Sequence, residues 1–171
     1  VYSEQSYAGG IFSESDSGDA YVASQGNITA AGDTYAGGIL ALSQYGTATV
    51  FSSGIISVSA PQGSFGISAE AEYDVFVANS GSITATAVDG SSTGINAVSY
   101  DGDVTVYNSG DFVVSGIDAT GIYTYSTYGD ISISNTGDLR ATGVNGARGI
   151  SAGTDEYDSD ITISNSLNTI V

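Results

Sequence analysis

The chain contains no cysteine, histidine, methionine or tryptophan, no lysine, and a single proline, Pro61. Without histidine and cysteine it lacks the usual ligands for zinc, copper, haem and iron–sulfur clusters. The same absence removes Ser-His and Cys-His nucleophile pairs. Only Arg140 and Arg148 are basic, against 19 acidic residues, for a formal net charge of −17. Nucleic acid and anionic lipid surfaces require Lys and Arg to neutralise phosphate, so neither is an expected partner. No apolar run approaches the roughly 18 residues that a membrane-spanning helix requires. The chain therefore reads as not membrane-embedded, with divalent cations, cationic surfaces and neutral sugars left open as partners.

What is abundant is glycine, 24 residues of 171, beside a 41% hydrophobic fraction. The length suffices for one domain with a sizeable core. A Gly-Ile pair recurs at Gly10-Ile11, Gly38-Ile39, Gly66-Ile67, Gly94-Ile95, Gly121-Ile122 and Gly149-Ile150, at intervals of 28, 28, 28, 27 and 28 residues. A period of this length signals a stacked-repeat architecture.

Within each repeat, three short stretches alternate apolar and polar residues with period two, bounded by Gly, Asp, Asn and Ser. That is the signature of strands joined by turns. The inward set of the first strand begins at the Ile of each Gly-Ile pair and continues with Ser13, Ala41, Ala69, Ala97, Thr124 and Ala152. The second strand offers Ala20/Val22, Ala48/Val50, Val75/Val77, Val104/Val106, Ile131/Ile133 and Ile161/Ile163. The third offers Ile28/Ala30, Ile56/Val58, Ile83/Ala85, Phe112/Val114 and Leu139/Ala141. Strands this short bury a face only by stacking, so the expected fold is all-β: a parallel β-helix (β-solenoid) of about six coils with three strands per coil of about 28 residues. The chirality of parallel crossovers makes it right-handed. Residues 1–171 read as one solenoid segment of a longer chain or filament.

A turn follows the second strand at Ser24-Gln25-Gly26, Ser52-Ser53-Gly54, Asn79-Ser80-Gly81, Asn108-Ser109-Gly110 and Asn135-Thr136-Gly137, where the glycine is expected to supply positive φ. The column Asn79, Asn108, Asn135 and Asn165 suits an amide ladder along the axis. The sole glycosylation sequon, Asn27-Ile28-Thr29, lies outside that column.

Function is expected on outward positions. Tyr45, Tyr73, Tyr100, Tyr128 and Tyr157 fall in the same turn of five successive coils, suggesting a stacked aromatic strip for sugar rings or a partner protein. Alternatively, they shield the turn. Asp19, Asp74, Asp103, Asp130 and Asp160, interrupted by Thr47, open the second strands, where a local carboxylate-to-backbone turn bond is the plainest role. The candidate Ca²⁺ ligands are Asp155, Glu156, Asp158 and Asp160, although no repeat carries the Gly-Gly-x-Gly-x-Asp pattern of calcium-loaded β-rolls. A third file, Thr49, Thr105, Ser132 and Thr162, is interrupted by Tyr21 and Phe76, which disfavours an ice-binding array. No repeat is lengthened into a cleft-building loop, so the chain reads as a non-enzyme without catalytic residues or a cofactor.

The unit Gly-Ile-x-Ala-x-Ser, Gly-Asp-Val-Thr-Val-x-Asn-Ser-Gly, then Ile-Thr-Ala, seen over Gly94–Gly110 and Asn79–Ala85, resembles repeats in the passenger regions of bacterial autotransporters and other large β-helical adhesins. The resemblance runs along essentially the whole chain. It implies secretion to the surface of a Gram-negative-type bacterium and a role as stalk, adhesin segment or fibre. The expected partners are other protein chains, further copies of the same chain, or surface glycans. End-to-end stacking into an extracellular filament and glycan binding along the tyrosine column are the alternatives.

Overall fold

The computed structural model describes residues 2–3, 7–156, 158–166 and 168–171. Among them are seventeen strands and no helix. After β1 (Tyr2–Ser3), the first coil comprises β2 (Tyr7–Ser15), β3 (Ala20–Ser24) and β4 (Ile28–Gly32). The next two repeat the plan as β5 (Tyr35–Ser43), β6 (Ala48–Ser52) and β7 (Ile56–Ala60), then β8 (Gly63–Ala71), β9 (Val75–Asn79) and β10 (Ile83–Ala87). The fourth coil begins with β11 (Ser91–Ser99) and β12 (Val104–Asn108). Its third strand continues without a break into the first strand of the next coil as β13 (Phe112–Ser126), followed by β14 (Ile131–Asn135). The same fusion gives β15 (Leu139–Thr154), and the chain continues through β16 (Ile161–Asn165) and β17 (Thr169–Ile170).

Every strand pairing is parallel, and each strand pairs with its equivalents one coil away. The second strands form a six-stranded sheet, β3-β6-β9-β12-β14-β16, while the first and third strands belong to an eleven-stranded sheet. The chain is thus a parallel β-solenoid of about six turns, as the 28-residue period predicts.

The core is a stack of equivalent side chains. Ile39, Ile67, Ile95 and Ile122 are fully buried, as are Val50, Val77, Val106 and Ile133 from the second strands and Ile56, Ile83, Phe112 and Leu139 from the third. A one-residue slip of any strand would turn this apolar set outward, which fixes the register. Ile161 and Ile163 keep the register of Ile131 and Ile133 but are 42% and 47% exposed, because β16 is the outermost strand of its sheet.

Two expectations about glycine are corrected. The first strand does not begin at the Gly-Ile pair: β2, β5, β8 and β11 each start three residues earlier, and the pairing ladder steps over the glycine. The glycine is therefore a bend inside one strand. A Cβ at Gly10 would lie 2.5 Å from the carbonyl oxygen of Gly38, and one at Gly66 would lie 2.6 Å from that of Gly94 and overlap Ile83 Cγ2. The bend brings the third-strand side chain against bare backbone. The second correction concerns the turns: no described residue, glycine or other, has positive φ. Turn glycines are required by stacking instead. A Cβ at Gly81, Gly110 or Gly137 would overlap the carbonyl oxygen of the turn glycine one coil below, whereas Gly26, beside the edge strand β3, has no atom of the described residues within 4 Å of where a Cβ would stand.

Candidate functional site: an aromatic groove along the bent strands

The bend at each Gly-Ile pair divides the first strand into a three-residue arm and a longer limb, and the outer side of the angle between them forms a groove. On coils one to four this groove has a volume of about 640 Å³. Its wall is aromatic. Tyr7 and Phe65, two coils apart, approach with ring centroids 6.4 Å apart and planes at 32°. They meet over Gly37, where a Cβ would overlap both the Tyr7 hydroxyl and the Phe65 ring edge. Tyr35 lies across Gly63 in the same way, its Cδ1 within 2.8 Å of where a Cβ would stand. The arm glycines thus leave room for ring edges from neighbouring coils. Burial pushes the Tyr7 phenol above its ordinary pKa.

The opposite side of the groove is mixed. Leu40 and Leu42 present partly exposed aliphatic surface, and Ser68, Glu70 and Asn96 form a polar cluster across two coils. Asn96 Nδ2 donates to Ser68 Oγ at 2.9 Å and to Glu70 Oε1 at 3.2 Å, and Ser68 Oγ donates to the same Glu70 oxygen at 3.2 Å. The carboxylate is held by its Oε1, which leaves Oε2 as an acceptor for a ligand.

A second aromatic feature occupies the outer face of the six-stranded sheet. Tyr21, Phe51, Phe76 and Tyr107, on four successive coils, form a chain of tilted ring contacts with centroid separations of 6.0, 5.5 and 5.7 Å. The rings alternate between the second and fourth residues of their strands, so each large ring is paired on its own strand with a small residue: Ala23, Thr49, Ala78 and Thr105. Tyr21 is 61% exposed and Tyr107 50%. A shallow groove of about 400 Å³ runs between Phe51 and Tyr107 over Ala78.

The residues singled out from sequence take varied places. Tyr45, Tyr73, Tyr100 and Tyr128 are exposed in the turn after the first strand, but no ring contact joins them; Tyr157 lies outside the described residues. Loop lengths that differ by a residue shift the backbone pairing there, with Tyr100 N bonded to Ala71 O and Tyr128 N to Tyr100 O. The asparagines form a ladder: Nδ2 of Asn79, Asn108 and Asn135 donates to Oδ1 of the next asparagine at 2.8, 2.7 and 2.7 Å, ending at Asn165. Each of these three Nδ2 groups also donates to the turn-glycine carbonyl two residues on, at 2.6 to 2.8 Å.

The aspartate column bonds between coils rather than within its own turn. Oδ1 of Asp74, Asp103 and Asp130 accepts the backbone N–H of Asp103, Asp130 and Asp160, at 2.9, 2.9 and 2.8 Å. Asp19 accepts from Thr47 N at 2.9 Å, a bond that holds its carboxyl below the ordinary carboxylate pKa. A parallel column ahead of the third strand does the same, from Asn27 to Ile55 N and from Asp111 to Asp138 N. The carboxylates of Asp155, Glu156, Asp158 and Asp160 do not converge: no group of three or more potential metal ligands occurs among the described residues. Asp155 instead accepts from the Tyr125 hydroxyl, which raises that phenol's pKa.

Both aromatic features escape a column-by-column reading of the repeat. Tyr21 and Phe76 register as interruptions in the Thr/Ser file. Their significance emerges only beside Phe51 and Tyr107, two positions along the strand in the alternate coils. The groove depends on an arm that precedes the Gly-Ile pair, where the repeat is least regular. Comparison with known proteins finds no match, whether to a family model, a curated protein or a solved structure.

Proposed function

We propose that this chain is a structural and adhesive extracellular β-solenoid, a segment of a cell-surface stalk or adhesin that works through its lateral faces. The observation that carries this reading is the file Tyr21–Phe51–Phe76–Tyr107, a largely exposed aromatic strip held by ring-to-ring contact on the outer face of a parallel sheet. Contiguous exposed apolar surface on a folded protein marks a place of contact, and tyrosine and phenylalanine are enriched where proteins meet. The high negative charge keeps such a surface soluble until a partner covers it. Beads coated with the chain are expected to adhere to epithelial cells or to one another above albumin-coated beads. The triple variant Phe51→Ser, Phe76→Ser, Tyr107→Ser is expected to lose that adherence while keeping its β-sheet circular dichroism. Failure of the unaltered chain to adhere to either surface would overturn the reading.

A further inference from the structure

We infer that the groove between the Tyr7–Tyr35–Phe65 wall and the Ser68–Glu70–Asn96 cluster is a binding site for a neutral oligosaccharide. This deepens the adhesive reading and rests on it, but it concerns a different face of the solenoid. Three features of the groove select the ligand.

The first is the shape of the wall. Gly37 and Gly63 clear the backbone beside the ring edges, so Tyr7, Tyr35 and Phe65 form a row along three successive coils rather than a cage around one point. A sugar ring, with its flat patch of C–H groups, fits such a platform; a compact ammonium head group favours rings that converge around it. The second is the polar cluster. Asn96 and Ser68 fix Glu70 through Oε1, and the free Oε2 stands ready to accept hydroxyl donors. An apolar platform facing a few convergent polar groups is the usual build of a small-ligand site. The third is charge. No basic residue lines the groove, and Arg148 stands three coils beyond Phe65 in the same outward column. With a formal charge of −17 on the chain, uronic, sulfated or sialylated sugars are repelled. From Tyr7 to Asn96 the groove crosses three coil steps, about 14 Å at the ordinary strand spacing, which suits a short chain of sugars better than a single residue.

The test is saturation-transfer NMR with calorimetry on the full chain. The probes are maltohexaose, cellohexaose, mannohexaose, xylohexaose and chitohexaose, with hexagalacturonate and choline as charged controls. At least one neutral hexasaccharide is expected to bind, and neither control. Tyr35→Ala and Phe65→Ala should each weaken that binding at least tenfold and Glu70→Ala at least fivefold, whereas Tyr128→Ala should leave it within twofold. Circular dichroism and thermal melting verify that each variant is folded. The proposal is overturned if no neutral probe binds at millimolar concentration, if binding survives Tyr35→Ala and Phe65→Ala, or if hexagalacturonate or choline binds as tightly as the sugars. Bead adherence that persists without oligosaccharide binding would remove the groove assignment and leave the adhesive reading standing; loss of both would remove both.

Discussion

Ser52 and Asn79 are register partners on successive coils, both buried, and Ser52 Oγ and Asn79 Oδ1 each lack a hydrogen-bond partner. The asparagine ladder begins at this break. Asn108 and Asn135 each donate Nδ2 upward and receive at Oδ1 from below, and Asn165 receives likewise, so Asn79 Oδ1 lacks the donor that an asparagine at position 52 would supply. Ser52→Asn is expected to extend the ladder by one rung and bond the Gly54 carbonyl as Asn79 bonds that of Gly81. Pairing an orphaned buried acceptor should raise stability by about 1 kcal/mol. Conversely, Asn108→Ala removes two rungs and the Gly110 bond, and should cost about 2–3 kcal/mol by leaving buried amide groups unpaired. Urea denaturation of both variants measures the two effects, and a Ser52→Asn chain no more stable than the parent would refute the rung-by-rung account.

The glycines divide into two kinds by what stands where a side chain would grow. Gly66→Ala places a methyl group against the Gly94 carbonyl oxygen and the Ile83 side chain in the middle of the solenoid. Neither neighbour has room to give, so the substitution should cost about 3 kcal/mol, at the upper end of overpacking effects. Gly26→Ala meets nothing within 4 Å and has no positive φ to strain, so its effect should fall within about 0.5 kcal/mol of zero. Equal losses at the two sites, read from melting temperatures, would mean that conformational freedom rather than close approach explains these glycines.

The contrast between those glycines also explains what the sequence made legible. Period-two alternation and the 28-residue interval carry the fold because each inward side chain must meet its own equivalent one coil away; Ile39, Ile67, Ile95 and Ile122 illustrate it. The bend at Gly10 or Gly66 was less legible, since a glycine permits a turn and a close approach equally well in one dimension. Ser99 and Ser126 are polar residues at inward positions, and alternation alone does not reveal their role. Each accepts a backbone N–H three residues on, from Gly102 and Gly129, and donates to a carbonyl of the preceding coil, Tyr73 O and Gly102 O, closing the corner. The aromatic file eluded a reading by columns because its contacts are diagonal. Tyr21 is opposite Thr49 in register but touches Phe51.

Asp19 ties one turn to the next through its bond to Thr47 N, and its carboxyl is held below the ordinary range mainly by that bond. A carboxyl whose folded pKa is depressed contributes stability that is fully present above its unfolded pKa and is lost as pH falls through the folded value. The bond is therefore expected to persist through neutral and mildly acidic pH and to weaken below the usual aspartate range. Asp19→Asn keeps an Oδ1 acceptor for Thr47 and should remove this pH dependence without breaking the corner, whereas Asp19→Ala should break it at every pH. Side-chain carbon NMR titration of Asp19, followed alongside the Thr47 amide shift, reads the coupling directly. An Asp19 midpoint at or above the free-peptide value would contradict the assigned bond.

Asp74, Asp103, Asp130 and Asp160 are joined through their backbone N–H groups, yet their carboxylates stack with like charge on successive coils. Only the bonding function requires an oxygen, and an amide supplies one. Asp103→Asn therefore keeps the acceptor for Asp130 N while removing a charge flanked by Asp74 and Asp130. Two like charges one coil apart repel by about 1 kcal/mol in water, and exposed pairs are screened at physiological salt. Relief of both pairs should thus stabilise the chain by up to about 2 kcal/mol at low ionic strength, with the gain shrinking toward zero by about 1 M salt. Asp103→Ala relieves the same repulsion but forfeits the bond to Asp130 N, so at high salt, where only the bond matters, it should be less stable than the parent. Denaturation curves for the two variants across a salt series separate the electrostatic cost of the column from its hydrogen bonding. If Asp103→Asn destabilises at low salt, the carboxylates hold the coils together by more than the acceptor oxygen, and a bound cation between them becomes the explanation to pursue.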